Sequence, residues 1–422
     1  MSNKIRFVEL QELCNSITDC HHSTPLYIES GKIVIRNFNI KKGRLQLDDI
    51  SYTDEENYLL RTSRAIPEVG DLIITREAPM GEVCIIPENL ECCLGQRMVL
   101  LKPNHNKVDS NYLLYTLMSQ YVQTQISKSE GTGSIVSNLR IPVLKELHIP
   151  IYDIERQVTI GKILSDIDSK IALNNRINAE LEAMAKTVYD YWFVQFDFPF
   201  DFAQGKPSAE GKSYKSSGGK MVWCEELKRE VPEGWEVGEL KDIANITMGQ
   251  SPAGESYNED GNGMVFYQGC TDFGTRFPTI RKYTTEPTRF ARQGDILLSV
   301  RAPVGTLNIA KEDCCIGRGL AALNSKDNCI TYLFGVMVNL KQIFDRRNTD
   351  GTTFGSITKD DLFTLKVIKP RNEVLEMYHK LINPCFEKQN LIAEENQQLS
   401  SLRDWLLPML MNGQVRPMDI FE

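Results

Sequence analysis

Cys14, Cys20, His21 and His22 stand within nine residues of one another, and all four are of types that ligate zinc. A structural zinc site needs two closely spaced ligand pairs. This cysteine spacing fits no such pattern, no second pair follows, and the second half of the chain has no counterpart, so no metal site is expected. Two adjacent-cysteine pairs, Cys92-Cys93 and Cys314-Cys315, do recur. Neighbouring cysteines cannot easily chelate one ion alone, so they read as small apolar core residues. "NPCF" at 383–386 is similar to the Asn-Pro-Pro-Tyr/Phe motif of amino-methyltransferases, but it lies within a helical heptad pattern and no glycine-rich cofactor loop accompanies it. "GKS" at 211–213 ends like a phosphate-binding loop, yet Lys206 occupies the place of that loop's leading glycine. With five histidines, none in a recognisable motif, no Ser-His-Asp set can be assembled. The chain is expected to carry no catalytic residue, metal or cofactor of its own.

What remains is hydrogen-bonding chemistry on a duplicated framework. "GDLIITREAPMG" (70–81) returns as "GDILLSVRAPVG" (294–305), "CCLGQR" (92–97) as "CCIGRG" (314–319), and "EGTGSIVSNL" (130–139) as "DGTTFGSITKDDL" (350–362). The offset drifts from 224 to about 218, as small deletions would cause, so one unit of about 200 residues occurs twice. "DLIIT" and "DILLSV" are short apolar runs after Gly-Asp turns and predict buried strands. "APMG" and "APVG" predict turns, and "EVCII" and "LNIA" the returning strands. Residues 111–126 and 332–344 have helical spacing. The stretch 201–222, rich in Gly, Ser and Lys without an apolar period, reads as a surface linker.

The bulk numbers bound the answer. Length 422 implies two or three domains, and 41% hydrophobic with 25% charged residues implies globular cores. Eleven cysteines without an apolar leader predict reduced thiols in a cytoplasmic protein, and no run is long enough to span a membrane. A net charge of −8 argues against holding nucleic acid by bulk electrostatics alone, but not against locally basic faces.

Each unit closes with a long helical pattern. Ile160, Leu164, Ile167, Ile171, Asn174, Asn178, Leu181, Ala185, Val188 and Trp192 alternate spacings of four and three, as do Ile382, Cys385, Gln389, Ile392, Asn396, Leu399, Arg403, Leu406 and Leu410. Two matched seams, each interrupted by Asn near its middle, predict an antiparallel coiled coil between the helices, with Pro384 as a kink or start of the second. At a rise of 1.5 Å per residue, about 40 residues make a spacer of about 60 Å. A two-fold relation sets Asn174 against Asn396, Asn178 against Ile392 and Ile171 against Leu399. The same register gives two poorer layers, Ile167 with Arg403 and Leu181 with Gln389. The Arg403 stem would lie along the seam with its head in solvent.

The layout resembles the DNA-specificity subunits of type I restriction–modification systems. The likeness covers essentially the whole chain. It rests on the two Gly-Asp phrases, "EGTGSIVSNL", "LSDIDSKIALNNRINAELEAMAKTVYDYWF" (164–193), "YKSSGGKMVW" (214–223), "PEGWE" (232–236) and "ENQQLSSLRDWLLPMLMNGQV" (395–415). No single motif is decisive; their order and duplication are specific. The resemblance implies an α+β chain with two similar mixed α/β target-recognition domains, 1–150 and 232–372. They would be separated by two long antiparallel helices forming a coiled coil, 151–197 and 373–415, with a linker at 198–231 and a tail at 416–422. It implies partners: double-stranded DNA read as two half-sites, two modification (methyltransferase) subunits, and restriction/translocase subunits. S-adenosylmethionine, ATP and Mg would belong to those partners.

Sequence readers are then expected where the copies differ, with Arg, Asn and Gln able to bond base edges in pairs. The candidates are Arg36, Asn37, Asn39, Arg76, Gln96 and Arg97 in the first domain, and Gln268, Thr271, Arg301 and Arg318 in the second. Thr132, Ser134, Thr352 and Thr353 lie in Gly-Thr loops. Their backbone N–H groups could hold a phosphate, or form a plain turn and helix cap. A stand-alone DNA-binding regulator and a protein adaptor with duplicated heads are the alternative readings. The acidic charge counts against the first, and a reconstituted complex without DNA specificity would favour the second. Purified alone, the chain is expected to show no methyltransferase, nuclease or ATPase activity; methyl transfer from labelled S-adenosylmethionine without any partner would overturn this reading.

Overall fold

Both Gly-Asp phrases fold the same way, for reasons carried by individual residues. Gly70 and Gly294 take φ of +84° and +87°, a region open to glycine and strained for other residues. Asp71 and Asp295 then cap the turn, each accepting from a backbone N–H three residues earlier, of Glu68 and of Arg292, at 2.8 Å. The turns feed the fully buried strands Leu72–Thr75 and Ile296–Ser299. Gly81 and Gly305, again at positive φ, donate back to the Thr75 and Ser299 carbonyls at 2.9 Å. Strands Val83–Ile85 and Leu307–Ile309 return antiparallel, with Ile73 opposite Cys84 and Leu297 opposite Asn308.

The computed structural model describes residues 5–128, 138–349 and 356–416. These fall into two units, Met1–Ala172 with Gln397–Glu422, and Leu173–Asn396. The first unit holds a four-stranded antiparallel sheet in the order Cys14–Asp19, Met98–Pro103, Leu72–Thr75, Val83–Ile85. A second sheet orders Ser51–Thr53, Lys32–Ile35 and Cys92–Leu94, the last two parallel. The second unit repeats this plan. Its four-stranded sheet runs Ala244–Met248, Leu320–Ser325, Ile296–Ser299, Leu307–Ile309, and a five-stranded sheet contains the parallel pair Met264–Tyr267 and Cys314–Ile316. Each head closes on itself by pairing its first strand with its last, Arg6–Glu9 with His148–Ile151 and Glu236–Glu239 with Lys366–Lys369. Cys92, Cys93, Cys314 and Cys315 are buried in the parallel pairs, and burial pushes the Cys92 and Cys314 thiols up to about 12. Mixed α/β domains with a long helix between them in the chain make up the α+β architecture.

Three elements differ from the sequence reading. The helix expected over 111–126 is two helices, Ser110–Met118 and Gln120–Lys128. Ser119 between them is extended, and its hydroxyl takes the Thr116 carbonyl at 2.6 Å while Gln123 takes that of Leu117 at 2.8 Å. The counterpart, Ile330–Thr349, is unbroken. The helix Asn372–Met411 likewise runs through Pro384, which neither starts nor ends it. Buried Tyr378, Ile382 and Phe386 on either side hold it against its unit's core, offsetting the missing N–H.

The third is the presumed surface linker, which folds. It forms strands Pro199–Asp201, Lys206–Pro207, Lys212–Ser213, Met221–Cys224 and Arg229–Pro232. Phe198 stacks on Tyr214 at 4.7 Å and on Trp235 at 5.1 Å. Phe196, Phe198, Phe200 and Phe202 alternate with polar residues or proline, a strand period that the Gly/Ser/Lys composition masks.

The long helix Ile154–Tyr189 passes into a π-turn, Asp190–Val194, whose rings build the second unit's core. Phe193 lies 4.7 Å from Tyr332 and 4.9 Å from Tyr378, and Tyr189 stacks on Tyr332 at 6.1 Å. Gly335 admits this arrangement: a Cβ there would lie 2.3 Å from Tyr189 Cδ2. Gly335→Ala gains about 1 kcal/mol of helix propensity but forces this overpacked contact, at about 1–3 kcal/mol. A lower urea midpoint is expected; a midpoint at or above wild type would show that the ring does not seat on the glycine.

Candidate nucleic-acid interface

In each unit the strand ends bring three chain segments to one place. In the first unit Gly95 N–H donates to Ile35 O at 2.8 Å, Arg76 N–H to Arg97 O at 2.7 Å, and Leu139 N–H to Arg76 O at 3.0 Å. In the second, Gly317 N–H donates to Tyr267 O at 2.8 Å, Val300 N–H to Gly319 O at 2.9 Å, and Ile357 N–H to Val300 O at 2.8 Å. Bond for bond, Ile35 corresponds to Tyr267, Arg76 to Val300 and Arg97 to Gly319. The scaffold therefore presents residues 36–39, 76–77 and 96–97 together in one unit, and 268–271, 300–301 and 318–319 in the other.

The candidate side chains divide by what they already bond. Asn39 is 2% exposed, with its amide given to the Gln46 and Asp49 carbonyls and its oxygen to Arg36 N–H. Arg76 donates to both oxygens of Asp19 at 3.0 Å, to Leu139 O at 2.9 Å and to Asn138 Oδ1 at 3.2 Å. Both use their hydrogen-bonding groups inside the fold, as internal struts. Asn37 donates to Glu77 O at 2.5 Å, and Gln96 to His22 O and, at 3.1 Å, to Thr24 Oγ1. Arg97 is exposed beside Glu77, Nε to Oε2 at 3.2 Å. Arg36 lies half-buried between the rings of Tyr27 and Phe38, its guanidinium 5.0 and 4.7 Å from their centroids. In the second unit Gln268, Thr271, Arg301 and Arg318 are all exposed, with no side-chain partner among the described residues. Thr132, Ser134, Thr352 and Thr353 lie outside the described residues.

Two arginines absent from the candidate set position these segments. Arg44 donates to the Asp168 backbone carbonyl and pairs with its carboxylate at 3.3 Å. Arg276 donates to the Phe386 carbonyl at 3.5 Å, to Gln389 Oε1 at 3.3 Å and to Asn390 Oδ1 at 2.8 Å, with its guanidinium 4.1 Å from the Phe386 ring. Burial pushes the Arg276 pKa down to about 10, with Glu182 partly opposing. Each lies eight residues beyond the potential reader that opens its segment, and ties that segment to a long helix of its own unit.

The helices pair antiparallel within each unit. In the first, Tyr115 Oη donates to Asp168 Oδ2 at 2.7 Å, and Arg403 donates to Asp168 Oδ1 at 2.9 Å; Arg403 thus turns inward to a partner, not outward to solvent. In the second, Asn174, 1% exposed, donates to Asn396 Oδ1 at 2.9 Å and Glu395 Oε2 at 2.8 Å, and Asn396 donates to Asn175 Oδ1 at 2.9 Å. Gln389 is buried because it is used twice, donating to Asn178 O at 3.3 Å and accepting from Arg276. Ile392 is buried nearby in sequence, Asn178 is half-buried, and Ile171 and Leu399 are half-buried.

Residues 3–183 and 232–399 match the protein family described as "Type I restriction modification DNA specificity domain". A Methanocaldococcus jannaschii protein, provisionally named the type I restriction enzyme MjaX specificity subunit, is 32% identical over 379 residues, 88% of this chain and 82% of that one. The type I restriction enzyme HindI specificity subunit of Haemophilus influenzae is 23% identical over 407 residues, 82% and 86% of the two chains. The crystal structure of a type I restriction–modification S subunit from M. genitalium has the same fold, with a TM-score of 0.60, 18% identity and 97% of each chain covered.

Replacing Arg276 by Met keeps much of the packing on Phe386 but leaves Gln389 Oε1 without its donor. A loss of about 1–3 kcal/mol in unfolding free energy is expected from that buried, unpaired oxygen. Urea denaturation followed by tryptophan fluorescence measures it, and an unchanged midpoint would show that the clamp carries no weight.

Proposed function

Because this chain belongs to the type I restriction–modification DNA specificity family, we propose that it reads a bipartite DNA site, one half with each head. The observation that carries this reading is the pairing of identical backbone frames with different exposed side chains. A shared frame offers each head the same approach to a groove, and the differing side chains let the heads choose different bases. The long helices serve as spacer and as the seat for two adenine-modifying subunits, with motor/nuclease subunits joining that assembly. The reacting groups, S-adenosylmethionine, ATP and Mg belong to those partners, and the work takes place in the cytoplasm. Among the described residues no helix is long and apolar enough to cross a membrane. No group of three or more metal-ligand side chains is clustered among them either.

The acidic net charge of −8 fits a reader that does not hold DNA alone. Partners that enclose the duplex supply phosphate contacts, and this chain supplies base discrimination. Exchanging residues 1–150 for the equivalent region of a relative, in a host expressing the partner subunits, tests the division of labour. Methylome sequencing is expected to show one half-site changed and the other retained; a change in both halves would refute independent reading.

A further inference from the structure

Resting on that DNA-reading function, we infer that Arg36 and Gln268 are the equivalent specificity-determining residues of the two heads, Arg36 selecting guanine and Gln268 selecting adenine at matching places in the two half-sites. Each is the first residue beyond a strand that runs parallel to a cysteine-bearing strand, Lys32–Ile35 with Cys92–Leu94 and Met264–Tyr267 with Cys314–Ile316. Each is fixed from behind by a glycine in close contact. A Cβ on Gly95 would lie 2.9 Å from Ile35 O, and one on Gly317 would lie 2.9 Å from Gln268 Cα. The backbone is thus held in the same place in both units, so a difference in side chain becomes a difference in the base edge that can be bonded.

The other matched positions fail one requirement each. At 76 and 300 an internal strut faces a valine. At 77 and 301 a glutamate faces an arginine. At 96 and 318 the glutamine already bonds His22 and Thr24. At 97 and 319 an arginine faces a glycine, at 37 and 269 an asparagine faces a glycine, at 38 and 270 a phenylalanine faces a cysteine, and at 39 and 271 the asparagine is buried. Among the matched positions of the described residues, only 36 and 268 carry, in both units, a side chain that can form two bonds to one base edge and is not already consumed. Arg36 spends one donor on Ser51 Oγ at 3.3 Å, and its guanidinium lies against the Tyr27 and Phe38 rings, 5.0 and 4.7 Å from their centroids. Its remaining N–H groups match the O6 and N7 acceptors of guanine. The exposed Gln268 amide offers one acceptor and one donor edge, matching adenine N6–H and N7.

The test expresses the full chain with its modification subunit in a host lacking other methylation, and reads the methylome of wild type, Arg36→Gln, Gln268→Arg and Gln268→Ala. Arg36→Gln is expected to move one base pair of one half-site from guanine toward adenine, and Gln268→Arg the reverse in the other half. Gln268→Ala is expected to lose roughly 5- to 150-fold discrimination at that one pair. Because Gln268 is exposed, its variants decide the outcome even if Arg36→Gln fails to assemble. An unchanged motif, a change in the wrong half, or equal weakening on all sequences overturns the assignment. A wild-type motif that is not bipartite would instead refute the proposed function; a bipartite wild-type motif with unaltered variants refutes this assignment alone.

Discussion

A guanidinium donating to a helix backbone carbonyl holds each proposed reading segment to a long helix of its own unit. The acceptors, Asp168 and Phe386, are 218 residues apart, the same offset that relates the two helices. A helix-interior carbonyl is already bonded to an N–H of the next turn, so it accepts the arginine with its second lone pair and the helix need not open. Burying that charge is costly: burial pushes the Arg276 pKa down to about 10, with Glu182 partly opposing, while the Phe386 ring and three acceptors surround the guanidinium. The group stays protonated well above neutral pH, so the clamp is fully formed there.

The same logic explains polar residues on otherwise apolar seams. Gln389 looks like a flaw in a heptad until Arg276 is seen to require its oxygen. Arg403 looks like a stem bound for solvent until Asp168 is seen to gather Arg44, Tyr115 and Arg403 at one carboxylate. Asn174 and Asn396 satisfy each other with Glu395 and Asn175, and a shift by one heptad would strand both amides beside apolar side chains. Polar pairs of this kind fix register, where apolar layers alone would tolerate sliding.

Much of the scaffold was legible because its residues have few physical options. Gly70, Asp71 and Gly81 can do little else than make a left-handed turn, a cap and a second turn, and the same holds at 294, 295 and 305. The linker misled because Gly, Ser and Lys dominate its composition, while Phe198, Phe200 and Phe202, which pack on Tyr214, supply its apolar contacts. Residue type alone does not tell which candidate side chains are already bonded inside the fold. Arg76 and Arg36 are of the same residue type, and Asp19 beside one and two aromatic rings beside the other separate the internal strut from the proposed reader. Arg44 and Arg276 were within reach of alignment. The offset at that segment is 232 where the Gly-Asp phrases give 224, since the second copy is eight residues shorter in between, and comparison at a single offset passes over them.

The glycines behind the reading segments bear on how this chain can change over generations. A side chain at Gly95 or Gly317 would collide with backbone, so those positions tolerate almost nothing. At position 268 the backbone is part of that contact, while the side chain faces solvent with no side-chain partner among the described residues. With Gln268 as the proposed reader, exchanging this exposed side chain leaves the core untouched, so a lineage can drift through new recognition sequences without first acquiring a compensating mutation there.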